Sequence, residues 1–489
     1  MSAKNHMVKK LKRKYKSIPI AAKATIWFIV ASVLQKGMSV ITTPIFTRLM
    51  STEQFGQFSV YNSWLQIFTI LTTLRLTWAV FNKGMSKYKT DRDNYVSTMQ
   101  TTTALLTFVL FLIYLPFHRW IDKFVELPTF IMIAMFAELL FAPATDFWSG
   151  KKRYEYQYKP VVIRSVLFTI LNALIGIIAV QFSVEKGYAR ILSCVLVSIC
   201  FGLPLFIYNR QRATTWFKKE YAEFAIRFNL PLLLHYFSQY VLDQSDRIII
   251  QKLVNTASAG IYSVAYNAGM VMKIVTQSIN NAFVPWQYEK LEKKQFKELD
   301  DVLFIVYCVV AASILIFISF APEILMILAD KKYHEAVYVM PPVALGLYFL
   351  FVYITIANIE FFYNQTKFTA YISLLGAILN IFLNYICISA FGYIAAGYTT
   401  LFCYIFYAVG HYIYMTKSVK ALLNIDKILD DKRLLLLSIV TVIFGLVMSL
   451  IYKFILIRLL LVVVIVALGI IKRTEIMSIF PKIRNIKKQ

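Results

Sequence analysis

Long apolar runs alternate with short polar stretches along the whole chain of 489 residues. A typical run, WFIVASVLQKGMSVITTPIF at 27–46, is long enough to cross a hydrocarbon core of about 30 Å as an α-helix. Division of the chain at its charged breaks predicts about fourteen such helices, among them 58–81 and 258–284. The pattern therefore predicts an all-α polytopic membrane protein.

Composition supports this fold class. Hydrophobic residues make up 59% of the chain and charged residues 16%, with a mean hydropathy of +0.62. A soluble domain is nearer half apolar and a quarter charged. The cysteines lie inside apolar runs without CxxC spacing, so we interpret them as core residues rather than as disulfides or metal ligands. They are Cys194, Cys200, Cys308, Cys387 and Cys403.

The positions of lysine and arginine predict how the helices are oriented. With the N-terminus in the cytoplasm, inside segments hold 37 of the 52 basic residues and outside loops hold 10. Basic residues collect in the cytoplasmic loops of membrane proteins, so both termini are predicted to be cytoplasmic. The same rule accounts for the net charge of +26, which in a soluble chain would suggest nucleic-acid binding. We predict no nucleic-acid partner.

One short passage occurs twice, 204 positions apart, as RLMSTEQFGQFSVYN at 48–62 and KLVNTASAGIYSVAY at 252–266. A shorter pair, Leu171-Asn172 and Leu379-Asn380, recurs at nearly the same offset. These matches predict two six-helix lobes in parallel repeat, an arrangement that transporters use, followed by two more helices. In the long passage, Thr52 and Thr256 are predicted to cap the helix that follows, and Gly56 and Gly260 to permit a turn or close packing.

The repeat divides the chain into lobes and flanking segments. The predicted segments are a basic cytoplasmic N-terminal segment (1–23), an N-lobe of helices 1–6 (24–208), a cytoplasmic linker (209–227), a C-lobe of helices 7–12 (228–416), a second cytoplasmic linker (417–433), helices 13–14 (434–471) and a cytoplasmic tail (472–489).

Three stretches resemble the Wzx-type O-antigen and capsule flippases of the multidrug/oligosaccharidyl-lipid/polysaccharide exporter superfamily. They are RLMSTEQFGQFSVYNSW, NLPLLLHYFSQYVLDQSDRIIIQKLVNTASAGIYSVAYNAG and LLGAILNIFLNYICISAFGYIAAGYTT. The resemblance covers essentially the whole chain. It implies a multi-pass, secondary-type transporter of the bacterial inner membrane, with predicted helices 1, 2, 7 and 8 lining a central cavity. Its cargo would be undecaprenyl-diphosphate-linked oligosaccharide, a repeat unit of capsule or lipopolysaccharide, moved to the outer leaflet by alternating access. Membrane lipids and the polysaccharide polymerase machinery are the other implied partners.

Each of the four predicted cavity helices carries one basic residue within its span. A charge at the bilayer centre costs about 2.5–3.5 kcal/mol on the insertion scale, so these residues should face a wet cavity or a partner. We predict that they bind the diphosphate of the cargo: Lys36, Arg75, Arg247 and Lys273. For Arg247, a structural ion pair with Asp243 or Asp246, or extension to the outer membrane surface, is an equally good interpretation. Arg75 and Lys273 can equally reach the inner membrane interface.

Aromatic and amide side chains on the same helices complete the predicted site, because flat rings stack on sugar faces and amides bond to hydroxyls. The candidates are Gln35, Gln239, Trp64, Trp78, Tyr236, Tyr240 and Tyr266. Trp27, Tyr61 and Tyr262 are interpreted instead as an aromatic belt at the membrane interface.

Acidic residues within the spans are candidates for energy coupling, since carboxylates inside the membrane can carry H+ or Na+. We select Glu138, Asp243 and Asp246 for this role, and interpret Asp146 with Arg164 as a structural ion pair. The chain has no phosphate loop, metal motif or catalytic constellation, so neither a cofactor nor a metal site is predicted.

Three other functions stay open. A drug/cation antiporter of the same superfamily would need an acidic cavity, whereas the four predicted cavity helices carry four bases and two acids. A membrane glycosyltransferase or polymerase would need large outside loops, and the longest here have about a dozen residues. A flippase for a peptidoglycan precursor is barely separated by sequence from the flippase described above.

Overall fold

The computed structural model describes residues 41–365, 367–425 and 427–474, together with Lys23, Trp27 and Met38. Throughout these residues the regular elements are helices, and residues 41–49 are helical as well. The elements that follow are α1 Thr52–Thr73, α2 Ala79–Lys87, α3 Arg92–Val125, α4 Thr129–Tyr154, α5 Tyr158–Phe182, α6 Lys186–Arg212, α7 Lys219–Leu253, α8 Thr256–Gly269, α9 Val271–Glu292, α10 Phe296–Ser319, α11 Ala321–Leu328, a 3₁₀ helix Lys331–Val339, α12 Met340–Phe362, α13 Lys367–Phe391, α14 Ala395–Leu423, α15 Asp431–Leu450 and α16 Ile455–Ile471.

Eight helical segments in the described residues are long and apolar enough to cross a membrane. They are Arg92–Val125, Thr129–Tyr154, Tyr158–Phe182, Lys186–Arg212, Phe296–Ser319, Lys331–Phe362, Tyr371–Phe391 and Asp431–Leu450. The prediction of an all-α polytopic membrane protein is therefore confirmed. The count of fourteen spans and the cytoplasmic position of both termini stay predictions.

The described part of the chain divides into two compact units. The first comprises the described residues up to Leu49 together with Trp64–Leu233, and the second comprises Met50–Ser63 with the described residues from Leu234 onward. Helices α1 and α7 therefore each contribute to both units. The start of α1 packs within the second unit. The predicted division into lobes 24–208 and 228–416 instead assigned this segment to the N-lobe.

Packing explains why some helices are apolar on every side. In the segment that contains α12, 83% of the most apolar stretch is buried, against 11% in α3. Helix α12 packs against α9, α10, α14 and α15, so it has no polar environment to face. Helix α3 instead turns Leu105, Phe108 and Leu112 outward, as expected for side chains in contact with lipid.

The predicted helix 58–81 is wrong at its inner end. Helix α1 ends at Thr73, and Leu74 and Arg75 both have left-handed backbones, with φ of 45° and 58°. Local bonds satisfy the backbone that this break exposes: the Thr73 hydroxyl donates to the Thr69 carbonyl at 2.6 Å, and Asn229 Nδ2 donates to the Leu74 carbonyl at 2.8 Å. A helix break inside apolar surroundings needs such partners.

The predicted helix 258–284 is also two helices. Helix α8 begins at Thr256 and is followed, after the single residue Met270, by α9 from Val271 to Glu292. The backbone N–H of Met270 donates to the carbonyls of Tyr266 and Ala268, which closes α8 tightly. The apolar pattern continues through this break, so the periodicity gave no sign of it.

Helices α1 and α8 begin in the two copies of the repeated passage, and their caps lie one residue earlier than predicted. Ser51 Oγ accepts from the Gln54 N–H at 3.1 Å, while Gln54 Oε1 accepts from the Ser51 N–H at 3.1 Å. At α8, Asn255 Oδ1 accepts from the Ser258 N–H at 2.7 Å. A cap precedes the first helical residue, so the assignment of Thr52 and Thr256 is wrong.

The two copies also pack directly on each other within the second unit. A Cβ added to Gly56 would collide with the carbonyl oxygen of Thr256, and one added to Gly260 would collide with the carbonyl oxygen of Thr52. Both glycines lie inside helices, so they permit a close crossing of α1 and α8 rather than a turn.

Two tyrosines near this crossing are not in an interfacial belt, and that prediction is wrong. Tyr61 and Tyr262 are fully buried inside the protein, whereas Trp27 is 39% exposed. The Tyr262 hydroxyl donates to Asp246 at 2.5 Å, which satisfies the polar end of a ring that never reaches the surface.

A cluster of polar side chains lies in the first unit, beside the loop that precedes α3. Asp91 accepts from Lys218, from the Tyr221 hydroxyl at 2.5 Å and from Asn94 Nδ2 at 2.6 Å. Burial tends to raise the pKa of Asp91, but these hydrogen bonds outweigh burial and hold the pKa below its ordinary value of 3.8.

The stability of this cluster should therefore depend on pH. A carboxylate whose folded pKa is lowered stabilises the folded state above its unfolded pKa and loses that effect as pH falls through its folded pKa. We expect Asp91→Asn to lower the thermal unfolding midpoint in detergent at pH 7, and the difference from the wild type to shrink below pH 3.8. A difference of the same size at pH 7 and at the lowest pH measured would contradict this assignment.

Candidate functional site

A buried carboxylate organises the polar interior of the second unit. Asp246 on α7 is fully buried and accepts three hydrogen bonds, from the Tyr262 hydroxyl at 2.5 Å, Asn384 Nδ2 at 2.6 Å and Thr400 Oγ1 at 3.0 Å. The donors come from α8, α13 and α14. One carboxylate thus links four helices. Its hydrogen bonds are directional, so they fix the relative positions of these helices more strictly than apolar contacts do.

The cluster extends along α13 through asparagine side chains. Asn380 Oδ1 accepts from the Ser245 hydroxyl at 2.8 Å and from Asn384 Nδ2 at 3.1 Å, and the Thr399 hydroxyl donates to Asn384 Oδ1. Asn380 and Asn384 are fully buried. The result is a group of carboxylate, amide and hydroxyl oxygens in an otherwise apolar interior. Oxygen ligands of this kind suit a hard cation.

Arg247, predicted to bind the cargo, is buried with only 6% of its surface exposed. Its Nε donates to Ser263 Oγ at 3.1 Å, and its Nη1 donates to the Asp243 carbonyl at 2.9 Å. The guanidinium lies over the Tyr266 ring, 4.4 Å from its centroid. The partners of Arg247 are thus a hydroxyl, a backbone carbonyl and a ring rather than the carboxylate of Asp243 or Asp246. Its role in binding the cargo stays a prediction.

Lys273 on α9 has a different environment. Its Nζ lies 3.3 Å from Asp243 Oδ2, and the side chains are 30% and 32% exposed respectively. The Tyr404 hydroxyl donates to the other carboxylate oxygen of Asp243 at 3.4 Å. Among the predicted cations of the second unit, Lys273 is therefore the one that an anion can reach.

Of the other predicted site residues in the second unit, two are accessible and two are buried. Gln239 is exposed and Tyr240 is half-buried, so both remain available for contact with a ligand. Tyr236 and Tyr266 are buried, and Tyr266 serves as the surface on which Arg247 rests.

The first unit holds the remaining described candidates. Arg75 lies in the break after α1, with its guanidinium 4.6 Å from the centroid of the Trp78 ring, and Trp78 is 56% exposed. Trp64 is buried against Phe124, at a centroid distance of 5.7 Å. The other two candidates, Gln35 and Lys36, lie outside the described residues.

The acids of the first unit differ from prediction in one respect. Glu138 is 8% exposed and accepts from the Ser198 hydroxyl at 2.7 Å. Asp146 and Arg164 line one cavity, but they form no ion pair. Arg164 instead donates to the Phe201 carbonyl and lies 4.8 Å from the Phe201 ring centroid. The predicted pair is therefore wrong: the guanidinium takes a backbone carbonyl on α6 and an aromatic ring as its partners.

Sequence reasoning missed a fully buried pair in the second unit. His411 Nδ1 on α14 lies 2.8 Å from Glu360 Oε2 on α12, and neither side chain is exposed. No local spacing links these two residues. For Asn380 a signal existed, since the repeat aligns it with Asn172, which accepts from Arg190 Nη2 at 2.8 Å in the first unit.

Comparison with known proteins identifies the family to which the chain belongs. The profile of the polysaccharide biosynthesis protein family matches residues 21–289, more than half of the chain. The chain belongs to the polysaccharide biosynthesis protein family. A second profile, MatE, matches residues 231–386. The resemblance to a polysaccharide flippase of the exporter superfamily is thereby confirmed.

Two relatives of this family member span most of its length. A protein of the Lsg locus of Haemophilus influenzae is 21% identical over 367 residues, covering 73% of this chain and 88% of the relative. An uncharacterized membrane protein of Methanocaldococcus jannaschii is 22% identical over 409 residues, covering 78% and 94%.

Solved structures show the same fold. The lipid II flippase MurJ, in an inward closed conformation, matches with a TM-score of 0.66 and 16% identity, covering 92% of this chain and all of MurJ. An inward-facing multidrug resistance transporter of the MATE family matches with a TM-score of 0.59 and 12% identity, covering 83% of this chain and all of that chain. This member of the polysaccharide biosynthesis family is a multi-pass membrane protein that shares the fold of these two transporters.

Proposed function

We propose that the protein moves an oligosaccharide linked through diphosphate to a polyprenol carrier, from the cytoplasmic leaflet to the outer leaflet of a bacterial inner membrane. Membership of the polysaccharide biosynthesis family supports the carbohydrate cargo. The observation that carries the proposal is Lys273, a half-buried cation beside Asp243 that an anion can reach. Undecaprenol is the carrier that we expect.

The chemistry of the cargo explains why such a cation is needed. A diphosphate cannot enter hydrocarbon without groups that replace its water, and a lysine in a partly dry site provides a point charge for it. On binding, a phosphate oxygen displaces Asp243 from the Lys273 ammonium. Arg247 does not need to move, since its partners are a hydroxyl, a backbone carbonyl and the Tyr266 ring. Gln239 lies exposed one turn from Asp243, where it can bond to a sugar hydroxyl.

We infer that an ion gradient or the membrane potential drives transport. Outward movement of an anion gains about 2.3 kcal/mol per charge per 100 mV when the inside is negative. Glu138 and Asp246 remain the coupling candidates, and Asp243 belongs with Lys273 in the cargo site. Either carboxylate can carry a cation inside the membrane, and Glu138 beside the Ser198 hydroxyl suits H+.

A deletion strain tests the cargo. Loss of the gene should reduce surface polysaccharide and cause lipid-linked oligosaccharide to accumulate in the cytoplasmic leaflet. Normal surface polysaccharide without accumulation would overturn the flippase proposal. Accumulation of a peptidoglycan precursor would assign the transporter to that lipid instead.

Variants of Lys273 test the site in the same strain. We expect Lys273→Ala to reduce complementation at least tenfold, Lys273→Arg to retain most of it, and Lys273→Glu to abolish it, because only a cation holds the diphosphate. Lys453→Ala, at an exposed position between α15 and α16, is the control and should complement fully. Membrane abundance of each variant is measured by immunoblot.

Asp243→Asn separates binding from structural pairing. If Lys273 only pairs with Asp243, this variant should be as impaired as Lys273→Ala. Retention of transport in Asp243→Asn together with loss in Lys273→Ala assigns the anion to Lys273, and equal impairment would remove Lys273 from the cargo site.

A further inference from the structure

A narrow polar cavity runs through the first unit between α4, α5 and α6. Its volume is about 420 Å³. The side chains that line it include two carboxylates, two guanidiniums and four hydroxyls: Glu138, Asp146, Arg153, Arg164, Thr145, Ser149, Ser165 and Ser198. On α4 these positions follow helical spacing, so a single face of that helix lines the cavity.

Exposed side chains on this face lie between Arg153 and Asp146, and the face is buried at Glu138. Arg153 and Asp146 are exposed, Ser149 and Thr145 are half-buried, and Glu138 is 8% exposed. The cavity therefore has an open end near Arg153, which the predicted orientation places at the cytoplasmic side, and a closed end at Glu138. With a rise of 1.5 Å per residue, the two ends are about 22 Å apart, more than half of the hydrocarbon thickness.

The chemistry of the lining indicates what can occupy the cavity. A volume of about 420 Å³ holds several water molecules, and the carboxylates, guanidiniums and hydroxyls of the lining give them hydrogen-bond partners. Hydrocarbon is a poor occupant, since four charged side chains would each lose several kcal/mol against lipid. The charges of the two acids and the two arginines cancel, so the lining has no net charge that would favour binding of a cation or an anion.

At the closed end, the lining continues toward the opposite side of the unit. A second cavity of about 280 Å³ is lined by Thr42, Thr169, Asn172 and Arg190. Phe168 lines both cavities, with Arg164 and Ser165 before it on α5 and Thr169 and Asn172 after it. Phe168 is therefore the residue that the two linings share.

We propose that the inner cavity is a hydrated path by which protons reach Glu138 from the cytoplasmic side, with Phe168 as its barrier. A proton passes along water and hydroxyls to the Glu138 carboxylate, where an O–H bond forms, and returns to water when the bond breaks. The other ionisable groups facing Glu138 from the packed helices are Asp146 on α4, Arg164 on α5, and Cys194 and Arg190 on α6. The role of this path in driving transport rests on the proposed function, whereas the hydration of the cavity does not depend on that function.

Thiol accessibility tests the path without any cargo. Single cysteines are introduced as Ser149→Cys, Thr145→Cys and Ser165→Cys, and inverted membrane vesicles are treated with charged, membrane-impermeant methanethiosulfonates. Ile163→Cys and Leu167→Cys, exposed on the outward face of the same helix α5, are the matched controls. We expect cavity positions to react at least tenfold faster than the controls, and faster in inverted than in right-side-out vesicles.

Native cysteines stay in place, and peptide mass spectrometry identifies each labelled site. Cys200, exposed within an apolar run of α6, then serves as an internal lipid-facing control. Equal rates at cavity and control positions, or reaction only with a membrane-permeant maleimide, would show a dry cavity and overturn the proposal. Phe168→Ala should extend labelling from the inner side to Thr169→Cys, and unchanged labelling there would remove Phe168 as the barrier.

Proton movement is tested in proteoliposomes with an internal pH dye. We expect Glu138→Gln to abolish proton entry driven by a pH gradient, and Glu138→Asp to retain part of it. A flux that follows Na+ at constant pH would assign the path to sodium and overturn the proton route. Full complementation by Lys273→Ala together with normal cavity labelling would count against the cargo proposal alone.

Discussion

Replacement of Asp246 by leucine is expected to destabilise the protein by about 3–5 kcal/mol. The carboxylate is fully buried and accepts from Tyr262, Asn384 and Thr400. Leucine would leave all three donors without an acceptor, and each stranded donor costs about 1–3 kcal/mol. It would also remove a negative charge that interacts with the buried guanidinium of Arg247.

Unfolding in mixed micelles, followed by circular dichroism as the denaturing detergent is increased, measures this loss. Asp246→Asn keeps one oxygen acceptor and should lose less stability than Asp246→Leu. The matched control is Asp243→Asn, which alters a pair that is about one-third exposed and should change stability by less than about 1 kcal/mol. An Asp246→Leu variant as stable as Asp243→Asn would show that the cluster does not hold the four helices together.

Transport by Asp246→Asn separates a structural role from a coupling role. If Asp246 only holds helices together, its loss of transport should follow its loss of folded protein. A folded Asp246→Asn protein that no longer moves cargo would assign the carboxylate to the coupling ion. Normal transport by that folded variant would remove Asp246 from coupling.

The membrane fold could be predicted from the sequence because lipid imposes a simple rule. Apolar runs of sufficient length must become helices, since each backbone group needs a partner inside the bilayer. Helix breaks follow a different rule. At Leu74 and Arg75 the partner of the exposed carbonyl is Asn229, which is distant in sequence, so no local pattern could mark the break.

The polar sites were predicted less completely for a related reason. Intramembrane charges can be recognised in the sequence because they are costly there, and Glu138, Asp243 and Asp246 were found in this way. The donors to Glu138 and Asp246 are neutral side chains, such as Asn384 and Thr400, which are common in apolar runs and carry no such signal. Burial also distinguishes Arg247 from Lys273, and two isolated charges in a sequence do not differ in that respect.

The second large effect is expected at the crossing of the repeated passages. Gly56→Leu should lower the free energy of unfolding by about 1–3 kcal/mol, the usual cost of overpacking, and reduce complementation at least tenfold. Even a Cβ at this position would collide with the carbonyl oxygen of Thr256, and a backbone atom cannot rotate away as a side chain can. Gly260→Leu should have the same effect, since its Cβ would meet the Thr52 carbonyl and the backbone of Gly56.

Gly469→Ala is the matched control for both variants. Nothing lies within 4 Å of a Cβ added to Gly469 in α16, and alanine favours a helix over glycine by about 0.5–1 kcal/mol, so this variant should be as stable as the wild type or slightly more stable. Detergent unfolding and complementation are measured for all three. If Gly56→Leu and Gly260→Leu behave like Gly469→Ala, then α1 and α8 do not pack through their backbones. If only Gly56→Leu and Gly260→Leu lose stability and complementation, we infer that each glycine is needed because the backbone of the other copy packs directly against it.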